Sequence, residues 1–75
     1  MPEEHQMLHM LIRVSRLAAK RWGVSLTQAM SVLGPADALG YICNNFSLFH
    51  MEGDEAVLDD VEEYLDAKGV VYAAH

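Results

Sequence analysis

Ten apolar residues between Met7 and Trp22 fall where the spacing predicts a single helix: Met7, Leu8, Met10, Leu11, Ile12, Val14, Leu17, Ala18, Ala19 and Trp22. At 100° per residue they cover an arc of about 220°. Only His9, Arg13, Arg16 and Lys20 remain as a narrow polar stripe. A helix apolar over more than half its circumference is either central in its fold, or it meets the core on one side and a second molecule on the other. The chain has 75 residues, one domain at most, and a chain of this size buries only about 60% of its unfolded surface. Three further helices, two of them short, make thin cover, so the second arrangement is expected.

Composition agrees with an interacting protein. Hydrophobic residues make up 52% of the chain, yet its formal charge is −6. That charge opposes general affinity for nucleic acid or anionic membrane. Cys43 stands alone, which excludes an internal disulfide and points to a reducing, cytoplasmic setting. Glu3 and Glu4 do not fit the positive start of a signal peptide. Residues 7–19, interrupted by Arg13 and Arg16, are too short to span a bilayer. No membrane association is expected.

Four helical segments are predicted, two long and two short, forming a compact all-α bundle in one domain over residues 1–75. The first runs from Glu3 to Trp22 and stops at Gly23. Ser25-Leu26-Thr27-Gln28 is a capping box opening a short helix to Leu33. Gly34-Pro35 ends it, and Pro35 starts a third helix reaching about Asn44. Residues 46–53 form a connection with room for one helical turn. Asp54 is the expected cap of a fourth helix that runs to Lys68 and stops at Gly69. It places Val57, Leu58, Val61, Tyr64 and Leu65 within about 120°. Residues 70–75 lack periodicity and read as a flexible or docking tail.

Charge is sorted along the chain. Arg13, Arg16, Lys20 and Arg21 hold four of the five basic residues, and the segment 46–70 holds eight of the eleven acidic ones. His9, Arg13, Arg16 and Lys20 follow an i, i+4, i+7, i+11 spacing, and the acidic face Glu55, Asp59, Glu62 and Asp66 repeats it. Like charges at i, i+4 cost a helix about 0.2–0.5 kcal/mol per pair. Stripes facing one another, within the chain or across a dimer, would offset that cost and fix register; as solvated faces they would add little.

Signals for chemistry are weaker. His50, Glu52 and Asp54 lie at i, i+2, i+4 without the helical His pair or Cys set of a zinc site. His50 is expected to bond a backbone carbonyl and hold the turn before Gly53. Tyr41, Phe46, Phe49, Tyr64 and Tyr72 read as packing groups, since no cations interleave them. Residues 25–45 could be two helices of a helix-turn-helix, but the second carries no Lys or Arg to meet DNA.

Ser25-Leu26-Thr27-Gln28-Ala29, Tyr41-Ile42, the run from Leu48 to Asp54, the run from Val57 to Leu65, and Lys68-Gly69 together resemble a family of short bacterial proteins. It is known as domain of unknown function 3791. The His-x-x-Gly turn before the acidic helix is the most specific part. The family commonly has Thr after that His, where Met51 here offers no hydroxyl. The resemblance carries no catalytic residues. It implies gene neighbours resembling ADP-ribosyltransferases, and hence an accessory or antitoxin-like role.

The function expected is that of a non-enzymatic interaction module without cofactor or metal, a homodimer or the small partner of a toxin-like enzyme. Its contact residues are expected to be Leu8, Ile12 and Ala19, with Arg13, Arg16 and Lys20 selecting the partner. A DNA-binding autoregulator is the first alternative. A small metal-binding or enzymatic protein, built on His50, Glu52, Asp54 and Tyr64, is the second.

Overall fold

The computed structural model describes residues 3–72, and the side chains of residues 5–72. Its helices in chain order are α1 (Glu3–Trp22), α2 (Leu26–Leu33), α3 (Ala38–Asn44), α4 (Phe46–Phe49) and α5 (Asp54–Ala67). No strand occurs among the described residues, and the chain is a small all-α bundle. α1 packs chiefly against α2 and α5, and α3 against α5.

The helix boundaries follow from local chemistry. α1 ends where Gly23 takes φ +70°. Val24 N–H then donates to Ala19 O at 3.0 Å and Gly23 N–H to Lys20 O at 3.4 Å. α5 ends the same way at Gly69, φ +72°, with Val70 N–H donating to Leu65 O and Gly69 N–H to Asp66 O, both at 3.0 Å. These paired bonds satisfy carbonyls that a helix end otherwise leaves open, and a residue without Cβ takes the left-handed conformation they need most easily. Ser25 and Gln28 form the predicted capping box, each side chain accepting from the other's backbone N–H at 3.1 and 2.9 Å.

Two boundaries differ from expectation, while the connection holds the one helical turn expected of it. α3 begins at Ala38 rather than Pro35, because Asp37 holds φ +59°, a conformation that cannot continue a right-handed helix. Residues 34–37 close a turn instead, with Asp37 N–H donating to Gly34 O at 2.9 Å. The connection contributes α4, set off from α3 by Asn45 at φ −113°, ψ 18°; the Asn45 side chain donates to Tyr41 O at 2.8 Å. Asp54 is not the cap of α5. Gly53 occupies the N-cap with extended geometry and no side-chain bond, which frees the Asp54 carboxylate for another partner.

The core is drawn from every helix. Val14, Leu33, Ile42, Phe49, Val57, Leu58, Val61 and Leu65 are fully buried, each larger side chain contributing about 1.5–3 kcal/mol over leaving it in water. Tyr41 and Tyr64 stack at 4.3 Å between centroids, and Phe49 meets Tyr41 edge-on at 5.6 Å. Tyr64 O–H donates to Ala36 O at 3.1 Å, tying the α2–α3 turn to α5. Lys68 Nζ sits 4.9 Å from the centre of the Tyr64 ring. The aromatic residues pack, as predicted.

The segment after Gly69 is not a free docking tail over its described part. Gly69 reverses the chain, Val70 and Tyr72 pack on the core, and the Tyr72 ring lies 4.9 Å from Trp22. Residues 73–75, the rest of that predicted tail, lie outside the described residues.

Candidate functional site

The charged helices do meet within the chain, though in a different register from the predicted stripes. Arg13 of α1 forks onto Asp54, Nε donating to Oδ2 at 2.9 Å and Nη2 to Oδ1 at 3.4 Å. Arg21 Nη1 donates to Asp59 Oδ1 at 2.6 Å and Glu62 Oε1 at 3.2 Å. These contacts raise the Arg21 pKa, the hydrogen bond to Asp59 first. Glu62 also accepts from the buried Trp22 indole, Nε1 to Oε2 at 2.8 Å. The Arg13–Asp54 pair is exposed and contributes about 0.2–1 kcal/mol. The Arg21–Glu62–Trp22 cluster does more, because it satisfies an indole N–H that burial has removed from water.

Arg21 was missing from the predicted stripe because it lies off that line. At 100° per residue it falls beside Val14 and Leu17, on the flank that α5 covers. Arg13, expected at an interface with a second molecule, is held by its own α5. Arg16 and Lys20 are exposed, and no carboxylate lies within 4.0 Å of either among the described residues. They border a depression that Asp54 and Glu55 also line.

Just before the N-terminal end of α5, exposed His50 makes the expected contact with a backbone carbonyl. Its Nδ1 lies 3.0 Å from Phe46 O, and its ring stacks on Phe46 at 5.3 Å. Glu52 is less comfortable: its Oε1 is enclosed and finds no hydrogen-bond partner among the described residues. Burial, then the neighbouring Asp60 carboxylate, pushes the Glu52 pKa above its ordinary 4.5. Burial, then Asp60, Glu63 and Glu52, pushes the Tyr41 hydroxyl up as well. No group of three or more His, Cys, Asp or Glu among the described residues is placed to hold a metal ion.

Glu52 carries a pH prediction. The folded chain holds its proton more tightly than the unfolded chain does, so folding takes up a proton in the window above pH 4.5. The group's contribution is fully present below that window and is lost as pH rises through it. Glu52→Gln keeps the shape and offers Asp60 a donor. In paired urea titrations the variant is expected to be the more stable chain at pH 7, with the difference closing toward pH 4. A difference constant with pH would contradict the assignment.

On the other flank of α1 lies an open apolar groove of about 170 Å³, lined by Leu8, Leu11, Ile12, Ser15, Leu26, Met30 and Leu39. Leu8 is 54% exposed, Ile12 41%, Leu26 40% and Met30 46%. The groove is smaller than the ~300–1,000 Å³ typical of small-molecule pockets. Ile12 stands on its outer edge and also lines a shallow depression with His9 and Arg13.

Two of the three predicted apolar contact residues, Leu8 and Ile12, are thus brought together. Ala19 is not: it is 8% exposed and belongs to the core. The turn at Gly23 folds Val24 back onto the last turn of α1, through the bond to Ala19 O, and covers it. Leu26, Met30 and Leu39 complete the groove from α2 and α3. Their signal was present but faint. Leu26 and Met30 share one face of α2 at i, i+4, beside the face of Ala29 and Leu33, and an eight-residue helix cannot bury both faces.

The fold and this surface define a small all-α protein that leaves part of its apolar surface open near exposed cations. The family model described as "Protein of unknown function (DUF3791)" matches residues 5–68, and the chain belongs to that family. No curated protein and no solved structure matches it. No described helix is long and apolar enough to cross a membrane.

Proposed function

We propose that this protein is a non-enzymatic interaction module that works by covering a partner surface with the groove formed by α1, α2 and α3. One observation carries the reading: Leu8, Ile12, Leu26 and Met30, four large apolar side chains, stay substantially in water on one continuous face. Scattered exposed apolar residues are ordinary, whereas contiguous ones mark interaction surfaces. The function that fits is that of a small cytoplasmic accessory or antitoxin-like protein, occluding a toxin-like enzyme or pairing with a copy of itself. The exposed cations Arg16 and Lys20 would add selectivity and speed of encounter.

The test is a sedimentation experiment at low salt on the purified chain, alone and with the product of the adjacent gene. The native chain is expected to associate. Leu8→Glu combined with Met30→Glu is expected to abolish association while leaving helical content and melting temperature close to native. A native chain that stays a lone monomer and forms no complex would overturn the reading.

A further inference from the structure

Resting on the interaction reading above, we infer that the groove's occupant is an amphipathic α-helix of a different protein, whose apolar stripe is edged by Asp and Glu. The inference comes from where positive charge is left over. Of the five basic side chains, Arg13 and Arg21 are held by α5 carboxylates, and Lys68 lies over the Tyr64 ring. The remaining two, Arg16 and Lys20, make no ion pair among the described residues. Both sit on the outer stripe of α1, with exposed His5 and His9 toward its other end. That stripe meets the groove at Ile12: Arg16 follows Ile12 by one helical turn, and Ile12 lines both the groove and the depression shared with His9 and Arg13, while Arg16 and Lys20 also line a depression with Asp54 and Glu55. On a chain of formal charge −6, the open apolar face therefore lies next to a cationic strip.

Shape agrees with charge. Two helices frame the groove, with Leu8 and Ile12 one turn apart on α1 and Leu26 and Met30 one turn apart on α2. That is the form in which a helix lays residues at i, i+3, i+4 and i+7 into a partner. A second copy fits less well. Its described carboxylates are concentrated on α5, which exposes no large apolar residue to accompany them, and two copies of charge −6 repel.

The probes are two synthetic helical peptides with the same Leu stripe, one flanked by Glu and the other by Lys, titrated into the full chain at low salt by fluorescence anisotropy. The net negative charge by itself favours the Lys peptide, so preference for the Glu peptide reports the local field of the groove. The Glu peptide is expected to bind at least about tenfold more tightly, with the margin shrinking as salt rises. Arg16→Glu with Lys20→Glu is expected to reverse the preference, and Met30→Glu to weaken both peptides, each variant keeping native helical content. Equal binding, preference for Lys, or indifference to the charge reversal would overturn the inference. If the Glu peptide fails but the chain sediments as a dimer that Leu8→Glu dissociates, the occupant is a second copy and the interaction reading stands. If the peptide fails and the chain associates with nothing, both readings fall.

Discussion

Trp22→Ala is expected to remove a large share of the chain's stability and to lower its urea midpoint steeply. Trp22 is almost completely buried at the end of α1, donates its indole N–H to Glu62 of α5, and carries the Tyr72 ring of the returning C-terminal segment. One substitution therefore releases three elements at once. Truncation of a buried Trp costs about 3–5 kcal/mol, whereas a domain of this length holds only about 4–11 kcal/mol in total, at roughly 0.05–0.15 kcal/mol per residue. Glu62 would keep Arg21 but lose its inward partner. Trp22→Phe separates packing from hydrogen bonding. It retains most of the buried volume, and its cost should be nearer the ~1 kcal/mol of a single lost bond. Circular dichroism at 222 nm through a urea titration checks both. An alanine variant that melts within a few degrees of the native chain would show that the junction of α1, α5 and the C-terminal segment is not where stability is concentrated.

Much of this arrangement was legible in the sequence, and the misses have physical causes. Helix type and the ends of α1 and α5 follow from local rules, because periodicity, a glycine that readily adopts positive φ and a Ser/Gln box all act within a few residues. The start of α3 did not follow, since it depends on Asp37 adopting a left-handed conformation, which an aspartate tolerates without requiring. Asp54 shows a second limit. Its position favours capping, but Arg13, distant in sequence, competes for the same carboxylate and holds it. Pairings between helices cannot be read from spacing alone, because two stripes of opposite charge can meet in several registers. Arg21 rather than Lys20 makes the bond to Asp59 because packing, not charge, sets the angle at which α1 meets α5. The groove was half legible for the same reason. The excess apolar arc of α1 required some surface to remain open, but which residues stay open depends on where α2 and α3 come to rest.

Two residues of α1 only two positions apart should respond oppositely to the same kind of change. Val14→Asp is expected to abolish folding. Val14 has no solvent exposure, and a carboxylate there would lie among apolar side chains without a partner, an effective penalty of several kcal/mol that rivals the whole stability of a chain this short. Ile12→Glu is expected to shift stability by no more than about 0.5 kcal/mol, the range of ordinary surface substitutions. Its side chain already stands 41% in water at the rim of the groove, and the new Glu sits one turn from Arg16. A helix whose full apolar arc served only its own core would lose stability at both positions. Thermal melts of the two variants beside the native chain therefore measure how much of that arc the fold keeps for itself. A steep loss at Val14 with none at Ile12 is the pattern of a helix with one face in the core and the other left for a partner.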